Sequence, residues 1–163
     1  MPILDLCSGV GRLGLAFEEL TGDKVAYVAE VDEAASKVLA KRFPGVPNIG
    51  DITSYDWTQL VGKVNKICAG FPCQDISNAG PREGIKGERS GIWTNVCEAT
   101  GVLRPDYLFL ENVAAIRGRG LSAVSEDLAE IGYDLLWTTL GASDVEFAHI
   151  RKRWFGLAVP SDS

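Results

Sequence analysis

Apolar positions along the chain follow two spacings, and the alternation between them predicts its elements. Short unbroken runs at Ile3–Leu6, Val25–Ala29, Val64–Ala69 and Tyr107–Glu111 have the length and the flanking turn residues of buried strands. Between them, helical spacing covers Leu13–Leu20, ended by Gly22, and Glu33–Phe43, stopped by Pro44. It returns over Ile92–Leu103 and Leu121–Ile131. Val46–Ile49 reads as a further short strand leading to Gly50-Asp51, and Tyr133–Leu140 with Arg153–Val159 reads as an antiparallel pair. Strands alternating with helices predict an α/β fold, a doubly wound and mostly parallel sheet with an antiparallel last strand. No repeat, low-complexity tract or linker divides the chain, so residues 1–163 are expected to form a single domain.

Composition narrows the class. Hydrophobic residues make up 46% of the chain and charged ones 23%, a globular balance with a core large enough to need no staples. No apolar run reaches membrane-spanning length, and the strand-like run starts at once after Met1-Pro2, leaving no room for a signal peptide. A cytoplasmic protein is the expectation. Cys7, Cys68, Cys73 and Cys97 share no Cys-x-x-Cys spacing and His149 is the only histidine, so neither a metal site nor a disulfide framework is expected. Net charge is −6, which argues against indiscriminate polyanion binding. Residues 1–62 hold nine acids against five bases, however, and many later bases fall in loops: Arg82, Lys86, Arg89, Arg117, Arg119 and Arg151-Lys152-Arg153. Gathered on one face, those loops would give an acidic body a local basic surface suited to nucleic acid.

A glycine-rich turn, Ser8-Gly9-Val10-Gly11, follows the first strand, where backbone can approach a ligand in front of a helix N-terminus. Glu30 ends the second strand about twenty residues on, where a Rossmann-like fold places an acid on ribose hydroxyls. Asp51 follows the next run and can accept from an adenine amine. Acids at successive strand ends (Asp5, Glu30, Asp51) would repel a pyrophosphate but suit an adenosine ligand with a positive centre. The sequence therefore favours S-adenosylmethionine over NAD.

Gly70-Phe71-Pro72-Cys73-Gln74 ends a buried strand abruptly, because Pro72 fixes its own φ and cannot donate to a ladder. Cys73 is thereby presented on a loop at a strand end, where open α/β sheets place their chemistry. The alternative for Cys73 is a small buried hydrophobe.

Taken together, Asp5-Leu6-x-x-Gly9-x-Gly11, Gly70-Phe71-Pro72-Cys73-Gln74, Glu111-Asn112-Val113 and Arg151-x-Arg153 resemble, in order, the motifs of the cytosine-5 DNA methyltransferases. The resemblance implies methyl transfer from S-adenosylmethionine to carbon 5 of cytosine. Carbon 5 is a poor nucleophile until a thiolate adds at carbon 6, and the resemblance gives that attack to Cys73. A free thiol has a pKa of about 8.5, so cations or dipoles are needed nearby. By the same resemblance Glu111 binds the exocyclic amine and assists protonation of ring nitrogen 3, and Asn112 braces the proline–cysteine loop. Arg151 and Arg153 are the arginines of the last motif, one of which fixes the base and Cys73. Asp5, Cys7, Gly9, Gly11, Leu13, Glu30, Val31, Asp51, Ile52, Gly70 and Pro72 are expected around the cofactor. Gln74 and Ser77 are expected on DNA together with Arg82, Lys86 and Arg89, in a glycine-bearing loop that closes over a base flipped out of its stack.

The sequence departs from the family pattern at Cys7, usually a phenylalanine on the adenine, at Arg12, usually glycine, and at Ala148-His149-Ile150. Relatives also carry a target-recognition region and a helix completing the cofactor pocket beyond the position of Ser163. Read alone, the sequence suggests a minimal, phage-like enzyme of low selectivity, in a bacterium or phage-infected cell. Alternatives are the catalytic half of a split enzyme completed by a second subunit or second copy, a non-catalytic DNA-binding subunit, and an enzyme acting on RNA.

Overall fold

The computed structural model describes residues 2–72, 91–145 and 151–161. Six strands form one sheet: β1 (Ile3–Leu6), β2 (Val25–Ala29), β3 (Lys66–Gly70), β4 (Tyr107–Val113), β5 (Tyr133–Gly141) and β6 (Lys152–Pro160), in the order β2-β1-β3-β4-β6-β5. β1 pairs in parallel with β2 and β3, and β3 with β4, while β6 runs antiparallel to both β4 and β5. The expected mixed sheet with one reversed strand is therefore present. Chain order reverses between β1 and β3, and the crevice beyond their carboxyl ends is where such sheets bind ligands.

Alternation along the strands divides the core in two. Leu4 and Leu6 of β1, Ile67 and Ala69 of β3, Leu108 and Leu110 of β4, and Trp154 and Ala158 of β6 face one side. They meet Trp93, Val96, Ala99 and Leu103 of α3 (Ile92–Leu103) and Val124 and Leu128 of α5 (Leu121–Glu130). Each fully buried large aliphatic side chain here contributes about 1.5–3 kcal/mol. On the other side Ile3, Val25, Val28 and Cys68 pack under Phe17 of α1 (Arg12–Thr21) and Leu39 of α2 (Glu33–Arg42), with Phe43 beside it. Phe17 also stacks on Phe109 at 5.4 Å, and Phe109 on Phe155 at 6.0 Å.

Four features differ from the sequence expectation. Val46–Ile49 is not a strand: it makes only an isolated parallel bridge, Val28 to Asn48, because Pro47 breaks the ladder it would need. Three short segments were not expected, the 3-10 turns Trp57–Leu60 and Ala142–Val145 and the single turn α4 (Ile116–Arg119). Each is too short to show a period. No helix among the described residues is long and apolar enough to cross a membrane.

Candidate active site

The glycine turn leaves β1 through left-handed backbone: Cys7 at φ 53°, Gly9 at 53° and Gly11 at 77°. Gly11 is required there twice over, since a Cβ would also lie 2.6 Å from Phe43 Cε2 and 2.9 Å from Leu39 Cδ2. Ser8 pins the turn to both neighbouring strands. Its hydroxyl donates to the Asp5 carbonyl at 2.7 Å and accepts from the Ala29 amide at 3.2 Å. Arg42, at the end of α2, donates to the Val10 carbonyl. A Cβ on Gly9 would meet nothing within 4 Å, so the backbone stands open on the cleft side.

Glu30, at the end of β2, reaches back to this turn: one carboxylate oxygen accepts from the Gly9 amide at 2.7 Å and the other from the Asp32 amide at 2.8 Å. Both oxygens keep a lone pair for a ligand hydroxyl. Asp51 is exposed, and the Thr53 amide followed by its hydroxyl holds the carboxyl below the usual range, each at 2.8 Å. Asn48 joins the two acidic loops. Its side chain donates to the Glu30 carbonyl at 2.9 Å and accepts from the Glu30 and Gly50 amides, each at 3.0 Å. Sequence reasoning missed Asn48, Ser8 and Arg42; only the Pro47-Asn48 and Gly50 turn residues signalled that an ordered loop lay there. Val31 is 72% exposed beside Glu30, whereas Ile52 is buried in the core beneath Asp51.

Asp5 is not in the cleft. It is 0% exposed and lies behind the turn, its Oδ1 accepting from the Cys68 thiol at 3.4 Å. Burial pushes its carboxyl up to about 7.

The second part of the site forms where β3 ends beside β4, Gly70 opposite Glu111. A Cβ built on Gly70 would lie 3.6 Å from Glu111 Oε2 and 4.0 Å from both the Cys7 carbonyl oxygen and Leu13 Cδ2. Glycine thus brings the turn, Leu13 and Glu111 around one point. Arg153, on β6, holds Glu111 through Nε–Oε1 at 2.7 Å, with side chains 25% and 29% exposed. Asn112 is buried and donates through Nδ2 to the Phe71 carbonyl at 2.9 Å, while its Oδ1 accepts from the Val113 amide at 2.8 Å. That bond fixes backbone immediately before Pro72, which is exposed. Phe71 is held from the other side by Trp93, ring centroids 4.8 Å apart, and Trp93 donates to Asp127 at 2.9 Å. Arg151 is exposed, its carbonyl accepting from the Ala142 amide at 2.9 Å. Cys73, Gln74, Ser77, Arg82, Lys86, Arg89 and His149 lie outside the described residues. Among the described residues no group of three or more His, Cys, Asp and Glu side chains could hold a metal ion.

This strand order, with a glycine turn at the reversal and an acid ending the neighbouring strand, defines the Rossmann-like methyltransferase fold. Solved structures agree: a DNMT2 variant of Spodoptera frugiperda superposes at TM-score 0.80 with 21% identity, over 99% of this chain and 50% of that one. The Dnmt2 methyltransferase of S. pombe follows at 0.78 with 20% identity, over 99% and 51%. Residues 1–163 match the family model of the C-5 cytosine-specific DNA methylases, and the chain belongs to that family. Curated relatives include the type II methyltransferase M.CviJI of Paramecium bursaria Chlorella virus IL3A, 32% identical over 98% of this chain and 43% of its own length. M.MspI of Moraxella sp is 33% identical over 95% and 38%. The chain thus spans less than half the length of these relatives.

Proposed function

We propose that the chain is the catalytic core of a DNA (cytosine-5)-methyltransferase that uses S-adenosylmethionine. The observation that carries this reading is the junction of β3 and β4, where Arg153 holds Glu111 over Gly70 and Asn112 holds the Phe71 carbonyl just before Pro72-Cys73.

The cleft fits the cofactor. Glu30 offers free lone pairs to ribose hydroxyls, Asp51 an ionised acceptor to the adenine amine, and exposed Val31 an apolar surface to the ring. Gly9, Gly11 and Gly70 allow close approach of backbone, with Cys7, Leu13 and Pro72 around them. When bound, S-adenosylmethionine supplies an electrophilic methyl group to carbon 5.

The protein's own residues make carbon 5 reactive. The Cys73 thiolate forms a bond to carbon 6, and the electron pair of the 5,6 double bond moves toward ring nitrogen 3. Glu111 holds the exocyclic amine and assists protonation at nitrogen 3, relaying a proton to it, so the developing charge is neutralised where it forms. Arg153 keeps that carboxyl oriented by its charge-assisted bond. After transfer the proton on carbon 5 is lost to solvent and the thiolate is eliminated from carbon 6 as the 5,6 double bond re-forms. The nitrogen 3 proton leaves by way of Glu111, which restores the ring, Cys73 and Glu111 together. Gln74, Ser77, Arg82, Lys86, Arg89 and Arg151 are proposed contacts to DNA, with low selectivity by themselves. A second subunit or second copy that supplies recognition is proposed as a further partner. A restriction–modification or phage setting, in the cytoplasm, accords with the type II and viral relatives.

Covalent capture tests this reading. DNA carrying a cytosine analogue that blocks release should trap the protein in the presence of cofactor, and Cys73→Ser should not be trapped. Failure of the unaltered chain to trap with any DNA, or trapping by the serine variant, would contradict it.

A further inference from the structure

Asp5 belongs to no step of the proposed mechanism, yet it is the most deeply buried carboxyl beneath the cleft. It sits where β1 gives way to the glycine turn, and its own carbonyl receives the Ser8 hydroxyl that holds that turn to β2. Its carboxyl faces β3 on one side and α1 on the other. The Cys68 thiol, a weak donor, meets Oδ1 at 3.4 Å, and Oδ2 has no hydrogen-bond partner of good geometry. The nearby Gly14 amide and Ser8 hydroxyl favour the ionised form, but less than burial opposes it. α1 presses against it through Gly14, where a Cβ would lie 2.7 Å from Oδ2. The titratable groups that face Asp5 are Cys68 from β3 and Glu30 from the end of β2, and α1 contributes only Gly14. Neither neighbour is a cation. Cys68 is held well above the usual thiol range by burial and by Asp5 itself, so it remains a neutral thiol.

A buried carboxylate held only by weak donors is costly, so a carboxyl in this setting keeps its proton up to about neutral pH, and a positive charge brought close favours its ionised form. S-adenosylmethionine brings a sulfonium and an ammonium against a single carboxylate, a net positive ligand. We propose that Asp5 is a positioning residue that links cofactor binding to a proton: protonated beneath the empty turn, ionised when the cationic cofactor is seated, so that binding releases a proton from the Asp5 carboxyl. This rests on the cofactor reading above. The sign follows from linkage. Because the cofactor favours the ionised form, affinity rises with pH up to the ordinary titration of buried Asp5, near 7, and is flat above it.

Calorimetric titration of S-adenosylmethionine into the full chain, in buffers of different ionisation heat, counts the protons released. Below about pH 7 the expected result is net release of a proton, with affinity falling by up to roughly tenfold per pH unit. Asp5→Asn should abolish both the release and the slope. Cys68→Ala keeps Asp5 but removes its thiol donor, and should move the inflection to higher pH; it serves if the asparagine variant does not fold. Isotope-edited infrared spectra of the cofactor-free chain should show a buried protonated carboxyl that disappears as pH rises and is missing from Asp5→Asn. A flat profile in a chain that binds cofactor, equal release from Asp5→Asn, or an inflection unmoved in Cys68→Ala overturns the proposal alone. No cofactor binding at any pH overturns the cofactor reading, and this coupling with it.

Discussion

At the scale of single residues, the site is a set of hydrogen bonds that each fix one reacting part. In the proposed mechanism Glu111 is the group through which electrons are drawn from the ring, so Glu111→Gln should keep the fold and lower kcat by about 100-fold or more. Single-turnover methylation would read this, and an unchanged rate would remove Glu111 from the mechanism. Asn112 acts on backbone instead. Its buried amide is committed to the Phe71 carbonyl and the Val113 amide, so Asn112→Ala leaves one buried and one part-buried backbone group without that partner. We expect a loss of about 1–3 kcal/mol in urea unfolding, with kcat affected more than cofactor affinity. The proposed roles of Glu111, Asn112 and Arg153 come from residue types that match a family order, and the structure adds the Arg153–Glu111 bond and the Asn112 bond to the Phe71 carbonyl. Asp5 was legible as important but not in place. A carboxylate in a glycine-rich motif reads as a ligand contact, and only the pleat of β1, which turns Asp5 toward α1, shows otherwise.

At the scale of elements, the sequence pattern located the strands and helices closely, since β2 and α3 have the bounds their apolar runs predict. Elsewhere tertiary pairing moved the ends. β4 continues through Asn112 and Val113 because β6 pairs with them, Asn112 to Trp154 and Val113 to Arg153. That extension places Arg153 one strand away from Glu111, and no local propensity encodes it. Pairing also begins β3 at Lys66 rather than Val64, where Asn65 donates its amide to the Pro2 carbonyl. The glycine turn depends on α2 as much as on its own residues, through Leu39 and Phe43. Gly11→Ala should therefore destabilise the fold by more than the roughly 1 kcal/mol that an unstrained glycine-to-alanine replacement gains, and weaken cofactor binding. Thermal unfolding with and without S-adenosylmethionine would measure both effects, and an unchanged melting temperature would show that the turn is not packed in this way.

At the scale of the whole molecule, carboxyls act on stability with opposite signs. Asp23, Asp51 and Asp56 are held below the ordinary range, chiefly by hydrogen bonds from Lys66, Thr53 and Thr58 in turn. Their contribution is present above the unfolded pKa of about 4 and is lost as pH falls below it. Asp5 runs the other way: its folded pKa lies above the unfolded one, so its contribution is full below about 4 and declines as pH rises toward about 7. The cofactor-free chain should accordingly lose stability between about pH 5 and 7, with the slope removed in Asp5→Asn. Urea midpoints across that range would decide it, and a midpoint that rises with pH would contradict the burial of Asp5.

The side of the sheet that carries Phe109 and Phe155 also extends over Leu157, and on β5 over Leu136 and Leu140, both exposed. Sequence periodicity could not show which strand faces lie under helices, because the order β4-β6-β5 is set by long-range pairing.

The account rests on one reaction at one pair of residues. The most direct measurement is transfer of labelled methyl from S-adenosylmethionine to duplex and single-stranded DNA by the 163-residue chain, alone and beside Cys73→Ser. The account predicts label at carbon 5 of cytosine, greater on single strands where the base is already unstacked, and none from the serine variant. Label that persists in Cys73→Ser, or label on another atom of the base, would contradict it.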